Sequence, residues 1–361
     1  MSTTVSNDVP DVLGPLIVIP CLDEAAHLPG LLDQFAAECS EALVVVADGG
    51  STDGTQQIAR DHAATTSNIR LLHNPLRLQS AAMNLAAAVL GDGRPWIVRI
   101  DAHCVYPKDY VSRLIGAAER TGADAVTVSM ITLAHGGFQS AVATAMNSML
   151  GAGGSPHRRL GAGRFVDHGH HALISLEAYR RVGGYDETFS HNEDAELDAR
   201  LLRGGFRIWL EPEIAVGYYP RNSPGALFAQ YLKYGAGRAR TVQRHRAKLK
   251  LRQIGPLAIP PIVVLAGTAP LAGWWVAAPA AGWTLAALVA GVVLGVRGRD
   301  AWGAASGVAA MVAHLAWSLG FWRQSLFGPR PGPEPSPIAL TPSGSRTEEV
   351  PSARLGVRSL L

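Results

Sequence analysis

Charge is the scarce commodity in this sequence. Asp, Glu, Lys and Arg make up 17% of the 361 residues, against 48% hydrophobic, a low share for a chain that is soluble throughout. The shortage is local. No charged residue occurs from Gln253 to Val296 or from Ala301 to Trp322, and no acid from 214 to 299. A membrane-spanning helix needs about 20 apolar residues. The first gap therefore has room for two spans and the second for one, at 254–273, 275–296 and 302–322. The net charge of +3 is too small a surplus to point to nucleic acid. Cysteine is scarce as well. Cys21, Cys39 and Cys104 show no disulfide or zinc spacing and read as free thiols in a reducing compartment. The first 14 residues lack a basic-then-apolar signal, which predicts that the N-terminal part stays in the cytoplasm.

Against that background, residues 94–104 stand out. The apolar run Trp96–Val98 reaches Ile100 and stops at Asp101, with His103 two positions on. The run is short and preceded by Pro95, so it reads as a buried strand. Side chains alternate in extended chain, so Asp101 and His103 can face one ligand. A carboxylate at that strand end is either a metal ligand or a cap for the next helix. Leu16–Ile19, Leu43–Val46, Ile69–His73 and Ala125–Ile131 are further strands, with helices expected at 25–39, after Thr55, at 81–90 and at 108–120. The alternation predicts an α/β fold with a Rossmann-like, mostly parallel sheet. Ligands bind at the carboxyl ends of such strands. Asp23 and Glu24 follow the first strand and Asp48 the second. The loop from Asp48 to Thr55 is either a ligand loop or a turn with Asp53 as helix cap. Arg77 precedes a helix N-terminus, where free N–H groups suit a phosphate.

Further along, Asp167–His171 holds three histidines, His168, His170 and His171. They serve a metal, an acceptor or diphosphate contact, or packing. Gly136–Gly163, with Pro156–Arg159, is expected as a helix and a mobile acceptor-side loop. Nine basic residues lie between Arg221 and Arg252. Placed directly before an apolar run, they read as cytoplasmic and close to anionic lipid. Residues after Gly328 are rich in Pro, Ser and Arg and predict disorder.

The segments at 19–24 (IPCLDE), 44–55 (VVVADGGSTDGT), 74–86 (NPLRLQSAAMNLA) and 99–103 (RIDAH) resemble the family 2 inverting glycosyltransferases, which have the GT-A fold. So do Gly183–Glu187, His191–Asp194 and Gln230–Tyr234. The resemblance covers residues 14–245. It is strongest to membrane-attached enzymes of bacterial exopolysaccharide assembly, of the succinoglycan glucosyltransferase type. Together with the uncharged runs and the composition of the two ends, it gives a flexible N-terminus at 1–13, a catalytic domain at 14–245, a membrane domain of about three helices at 246–323 and a disordered tail at 324–361. It also implies that Pro20, Asp23, Glu24 and Asp48 hold the nucleoside of a nucleotide sugar. Gly49 replaces a second Asp found in many members. Asp101 and His103 occupy the family's D-x-D position, where Mg²⁺ or Mn²⁺ would bridge the donor phosphates. Asp194 matches the catalytic base, with Glu193 beside it. Gln230, Lys233 and Tyr234 form a variant of the family's Q-x-x-R-W, which contacts the acceptor near its diphosphate.

The implied activity is transfer of a sugar, from a UDP-hexose, to a polyprenyl-linked saccharide at the cytoplasmic membrane face. Transfer to polyprenyl phosphate and an inactive scaffold are the alternatives, the latter motivated by His103 and Gly49. A hydrolase pair is excluded, because adjacent helix residues point about 100° apart and cannot flank one glycosidic bond from both sides.

Overall fold

The computed structural model describes residues 13–153 and 162–338. The N-terminal 12 residues, the Pro156–Arg159 segment and residues 339–361 lie outside the described residues. In order, β1 (Leu16–Cys21), α1 (Leu28–Glu38), β2 (Leu43–Asp48), α2 (Thr55–Thr65), β3 (Ile69–His73), α3 (Gln79–Leu90) and β4 (Trp96–Arg99) alternate. The parallel order β3-β2-β1-β4 follows from this alternation, because each helix carries the chain back to the sheet's starting edge. Both faces are covered. Ile17 and Ile19 pack under α1 with Leu28, Leu32 and Phe35. Leu16 and Val18 pack on the other face with Met83, Tyr179 and Tyr185.

Beyond β5 (Cys104–Val105), α4 (Tyr110–Thr121), β6 (Ala125–Thr132), α5 (Phe138–Met146), α6 (Met149–Ala152) and β7 (Arg164–Phe165), strand β8 (His170–Ser175) enters between β4 and β6. β8 is antiparallel to both. Its first residues therefore lie at the edge where the parallel strands end. The register Val98↔Leu173, continued three residues, sets His170 opposite Asp101. Next come α7 (Leu176–Arg181), α8 (Glu193–Arg203) and β9 (Ile208–Tyr218), which is parallel to β6.

The expected membrane region differs from three simple spans. Residues 254–273 are not one helix but α10 (Leu251–Leu257), α11 (Ile259–Gly267) and α12 (Ala269–Ala272). Pro256, Pro260 and Pro270 explain the breaks, since proline lacks an N–H and clashes with the preceding turn. After a short 3₁₀ turn at Trp274–Ala277, α13 (Ala278–Gly298) and α14 (Ser306–Phe327) are continuous. With their flanking turns these two are long and apolar enough to cross a membrane. α14 lies along α9 (Pro224–His245) and α5, through Ala141, Ala145, Leu227, Ala309, Ala310 and Ala313. Residues 329–338, expected in the disordered tail, run in extended form across the catalytic domain. Ile338 donates its N–H to the Arg180 carbonyl at 3.0 Å.

Candidate active site

The ends of β4, β8 and α8 meet at one edge of the sheet, and Arg99 ties the β4 end to α8. It is the last residue of β4 and is buried, at 7% exposure. Its Nε donates to Asp101 Oδ1 at 2.9 Å and its Nη1 to Asp194 Oδ1 at 2.7 Å. Glu193 Oε1 lies 3.7 Å from Nη1. A buried charge persists only when paired. Here burial opposes the guanidinium charge, but Asp101 and Asp194 outweigh it and hold its pKa well above the ordinary value.

The other groups fall in place around this pairing. His170 Nε2 is 3.7 Å from Asp101 Oδ2, and its Nδ1 is 4.0 Å from Asp194 Oδ2. Burial lowers its pKa, so the ring is neutral. Burial also disfavours charge on His171, but Asp198 and Asp194 raise its pKa to about 10. It bridges Asp198 Oδ1 at 2.6 Å and Asp194 Oδ1 at 3.4 Å. Asp194 and Asp198 are one helical turn apart on α8, hence on one face. His168 meets the other Asp198 oxygen at 2.7 Å. The three histidines thus divide between the cleft and a buried relay behind it.

The adjacent acids of α8 differ in character. Asp194 resists burial through Arg99 and His171 and stays well below the usual carboxylate range. Tyr185 also donates its hydroxyl to Asp194 Oδ1 at 3.0 Å. Glu193 is pushed up to about 7, first by burial and then by the Asp194 charge. One carboxylate is a fixed anion and the other titrates near neutrality.

Not every expected site residue points at this centre. Asp48 is buried and bound within its own turn, accepting from Gly50 N at 2.8 Å and from the Ser51 hydroxyl. Asp23 accepts from Thr52 N at 2.8 Å. Asp53 accepts from Ala25 N and Thr55 N, at 2.9 and 3.0 Å. These acids shape the loops after β1 and β2. Pro20 lies in β1, paired with Ala47. Arg77 has φ +57° in an exposed loop that packs on Gly49. A Cβ at Gly49 would come within 3.3 Å of the Arg77 Cα, a tight fit against that loop. On α9, the Gln230 amide donates to the Tyr234 hydroxyl at 3.0 Å, and the Tyr234 ring is 5.8 Å from that of His191. Burial, helped by Lys233 and Arg221, lowers the pKa of His191.

Asp101 and His103 do not face each other as a closed metal pair. His103 Nδ1 meets Glu24 Oε1 at 3.1 Å, and that bond, opposed by burial and helped by Asp101, raises its pKa. Among the described residues no cluster of three His, Cys, Asp or Glu could hold an ion. The donor set still fits a hard cation, which takes one or two carboxylates and completes its shell with substrate phosphates and water. Asp101 Oδ1 is occupied by Arg99 and Gln79. Its Oδ2 has only longer contacts, 3.3 Å to Arg99 Nη2 and 3.7 Å to His170.

The motif pattern does not mark Arg99, Asn84, Tyr185, His171 or Asp198 as a network. Asn84 bonds the Tyr185 N–H and carbonyl at 2.9 and 2.8 Å. An arginine inside an apolar strand was the available signal.

Comparison with known proteins fits this geometry. Residues 16–183 match the model of glycosyl transferase family 2. The succinoglycan biosynthesis protein ExoA of Rhizobium meliloti (strain 1021) is 49% identical over 313 residues, covering 86% of this chain and 94% of that one. A polyprenol monophosphomannose synthase of Mycolicibacterium smegmatis is 30% identical over 112 residues, covering 30% of this chain and 42% of that one. The fold matches a mannosyltransferase from Pyrobaculum calidifontis, solved with GDP-Man and Mn²⁺. Its TM-score is 0.50 at 19% identity, over 83% of this chain and 86% of that one. A GT-A-like sheet, an acid pair facing the β4 end and near-full-length similarity to ExoA lead to one conclusion: the chain belongs to glycosyltransferase family 2 and is a glycosyltransferase.

Proposed function

We propose that the enzyme moves a hexose from a nucleotide sugar, UDP-linked, to a polyprenyl-linked saccharide. The reaction takes place at the cytoplasmic membrane face, in exopolysaccharide or cell-envelope glycan synthesis. One observation carries the reading: Arg99 binds Asp101 at 2.9 Å and Asp194 at 2.7 Å, joining the donor side and the base side of a single cleft. The names of the relatives, one in succinoglycan biosynthesis and one a polyprenol monophosphomannose synthase, support the product class and the lipid carrier.

Donor phosphates lie against Asp101, His103 and the 74–78 loop with Arg77. A divalent cation bound through Asp101, with His103 and Glu24 at hand, would neutralise charge growing on the leaving diphosphate. Asp194, fixed by Arg99, His171 and Tyr185, takes the proton of the acceptor hydroxyl as general base. Glu193 beside it, pushed up to about 7 by burial and by the Asp194 charge, receives that proton next. Attack on the face opposite the diphosphate inverts the anomeric centre. Lys233, Tyr234, Gln230 and the exposed Arg221 face the acceptor's own phosphates.

The test is hydrolysis of a nucleotide-sugar panel by detergent-purified protein, which needs no acceptor. Nucleoside diphosphate release from one donor, lost in EDTA and in Asp101→Ala, is expected. Full release by Asp101→Ala would overturn the placement of the donor.

A further inference from the structure

The chain after α14 returns to the catalytic domain. Arg244 Nη2 donates to the Gly332 carbonyl at 2.9 Å, and Arg203 Nη2 to Glu334 Oε1 at 2.7 Å. A Cβ on Gly183 would collide with the carbonyls of Pro335 and Ser336. Ile338 packs on the cluster that holds Tyr179 and Tyr185. These contacts set residues 332–338 on the same side of any bilayer as the catalytic domain. Three crossings, the number the uncharged runs suggest, would leave them on the opposite side.

α14 is also half buried. It runs parallel to α9, with Leu227 near Ala309–Ala313, and Leu232 and Gly235 near Trp317–Phe321. The other face of α9 binds the catalytic domain. Arg240 donates to the Thr188 carbonyl at 2.6 Å, and Arg244 pairs with Asp186 and Glu196. A helix wedged against this arginine-bearing helix cannot be ringed by hydrocarbon, where charged side chains cost at least about 2.5–3.5 kcal/mol each.

Most of the outward-facing apolar surface of this region lies in 251–298. Leu271, Trp274 and Trp275 are 94%, 77% and 76% exposed, and Val264, Leu285, Val292 and Val296 are exposed with them. Lys248, Lys250 and Arg252 flank the start of the segment, and Arg297 and Arg299 flank its end. α11 and α12 together reach about 21 Å, short of the ~30 Å hydrocarbon core. We propose that one hairpin, residues 251–298, makes the bilayer contact. It enters and leaves on the catalytic domain's side, and α14 lies beside that domain without crossing. The basic flanks suit anionic headgroups. They would repel one another if a second copy covered the same face.

The test uses the full chain in a Cys39→Ser background, since Cys21 and Cys104 are buried. Lys108→Cys reports the catalytic domain and Ser336→Cys the returning segment; both positions are exposed. Spheroplasts and inverted vesicles are treated with a membrane-impermeant maleimide. Both positions are expected to label in the same preparation. Labelling in opposite preparations overturns the proposal, as does a Ser336→Cys site that labels in neither. Because two positions of one chain are compared, the outcome is independent of donor, acceptor and cellular face. Flotation with phosphatidylethanolamine–phosphatidylglycerol vesicles is expected for the purified wild type. A dimer that stays unbound would assign the apolar face to a second copy and overturn the lipid contact.

Discussion

Neighbouring carboxylates at the start of α8 have been given opposite tasks by their surroundings. Asp194 collects Arg99, Tyr185 and His171 on one oxygen, whereas Glu193 has Arg99 at 3.7 Å. Glu193 is therefore protonated below about pH 7 and ionised above it. Turnover is expected to climb as pH rises through 7 and then level. The effect on stability has the opposite sign. A carboxyl whose folded pKa lies above its unfolded value contributes stability that is full below the unfolded pKa, near 4.3, and is lost as pH rises through 7. Glu193→Gln should flatten both profiles, read by pH–rate curves and by Tm against pH. Asp194→Asn should cost about 10²–10⁴-fold in rate without reproducing that flattening in stability. Parallel profiles for wild type and Glu193→Gln would remove Glu193 from the proton path. At this scale the sequence was half legible. Acids at strand ends announced a site, and in the structure Asp48 also ties its own turn while Asp23 and Asp53 tie the loops after β1 and β2 to each other. Spacing cannot tell a ligand from a loop tie, because both need an acid beside small hydrogen-bonding residues.

Elements were easier to read than their pairing. Strands β1 to β4 and β6 appear within about two residues of expectation, since apolar runs bounded by turn residues have few other homes. The antiparallel insertion of β8 was hidden, because nothing local in His170–Ser175 states a direction. Yet that direction is what carries the histidines to Asp101. The membrane region shows the same limit. Residues 306–327 are as apolar as a span, but half of the stretch is buried, with α9 and α5 packed along it. Glycine makes the fit. A Cβ on Gly320 would collide with the Leu232 carbonyl, while one on Gly298 meets nothing within 4 Å. Gly320→Leu is therefore expected to cost about 1–3 kcal/mol or more through overpacking. Gly298→Leu should be near neutral. Thermal unfolding in detergent measures both, and equal losses would mean that α14 does not dock as described.

Across the whole molecule, the returning segment closes the chain on itself. Its visible ion pair is a weak part of that closure: Arg203 and Glu334 are 53% and 39% exposed, and such pairs contribute about 0–1 kcal/mol. Glu334→Ala should leave Tm nearly unchanged. A chain ending at Gly328 loses the partly buried Ile338 contact and the backbone bonds to Arg180 and Arg244. It should unfold several degrees lower, about 1–2 kcal/mol less stable. Equal Tm values for the two variants would show that the segment does not hold the domain. Composition alone read this stretch as tail. Proline and glycine also suit an extended strap whose hydrogen bonds are supplied by its partner.

α9 has one side built into α14 and the other into the loop before Asp194, where Asn192 bonds Thr241 at 2.8 Å. It is a party wall with no slack on either side. On the proposed hairpin, that wall makes the height of the cleft above the lipid a constant of the molecule, like the fixed jaw of a gauge. With the proposed acceptor, a lipid-borne sugar chain, admission is then by reach: a hydroxyl standing too near its anchor, or too far, misses Asp194 whatever sugar bears it.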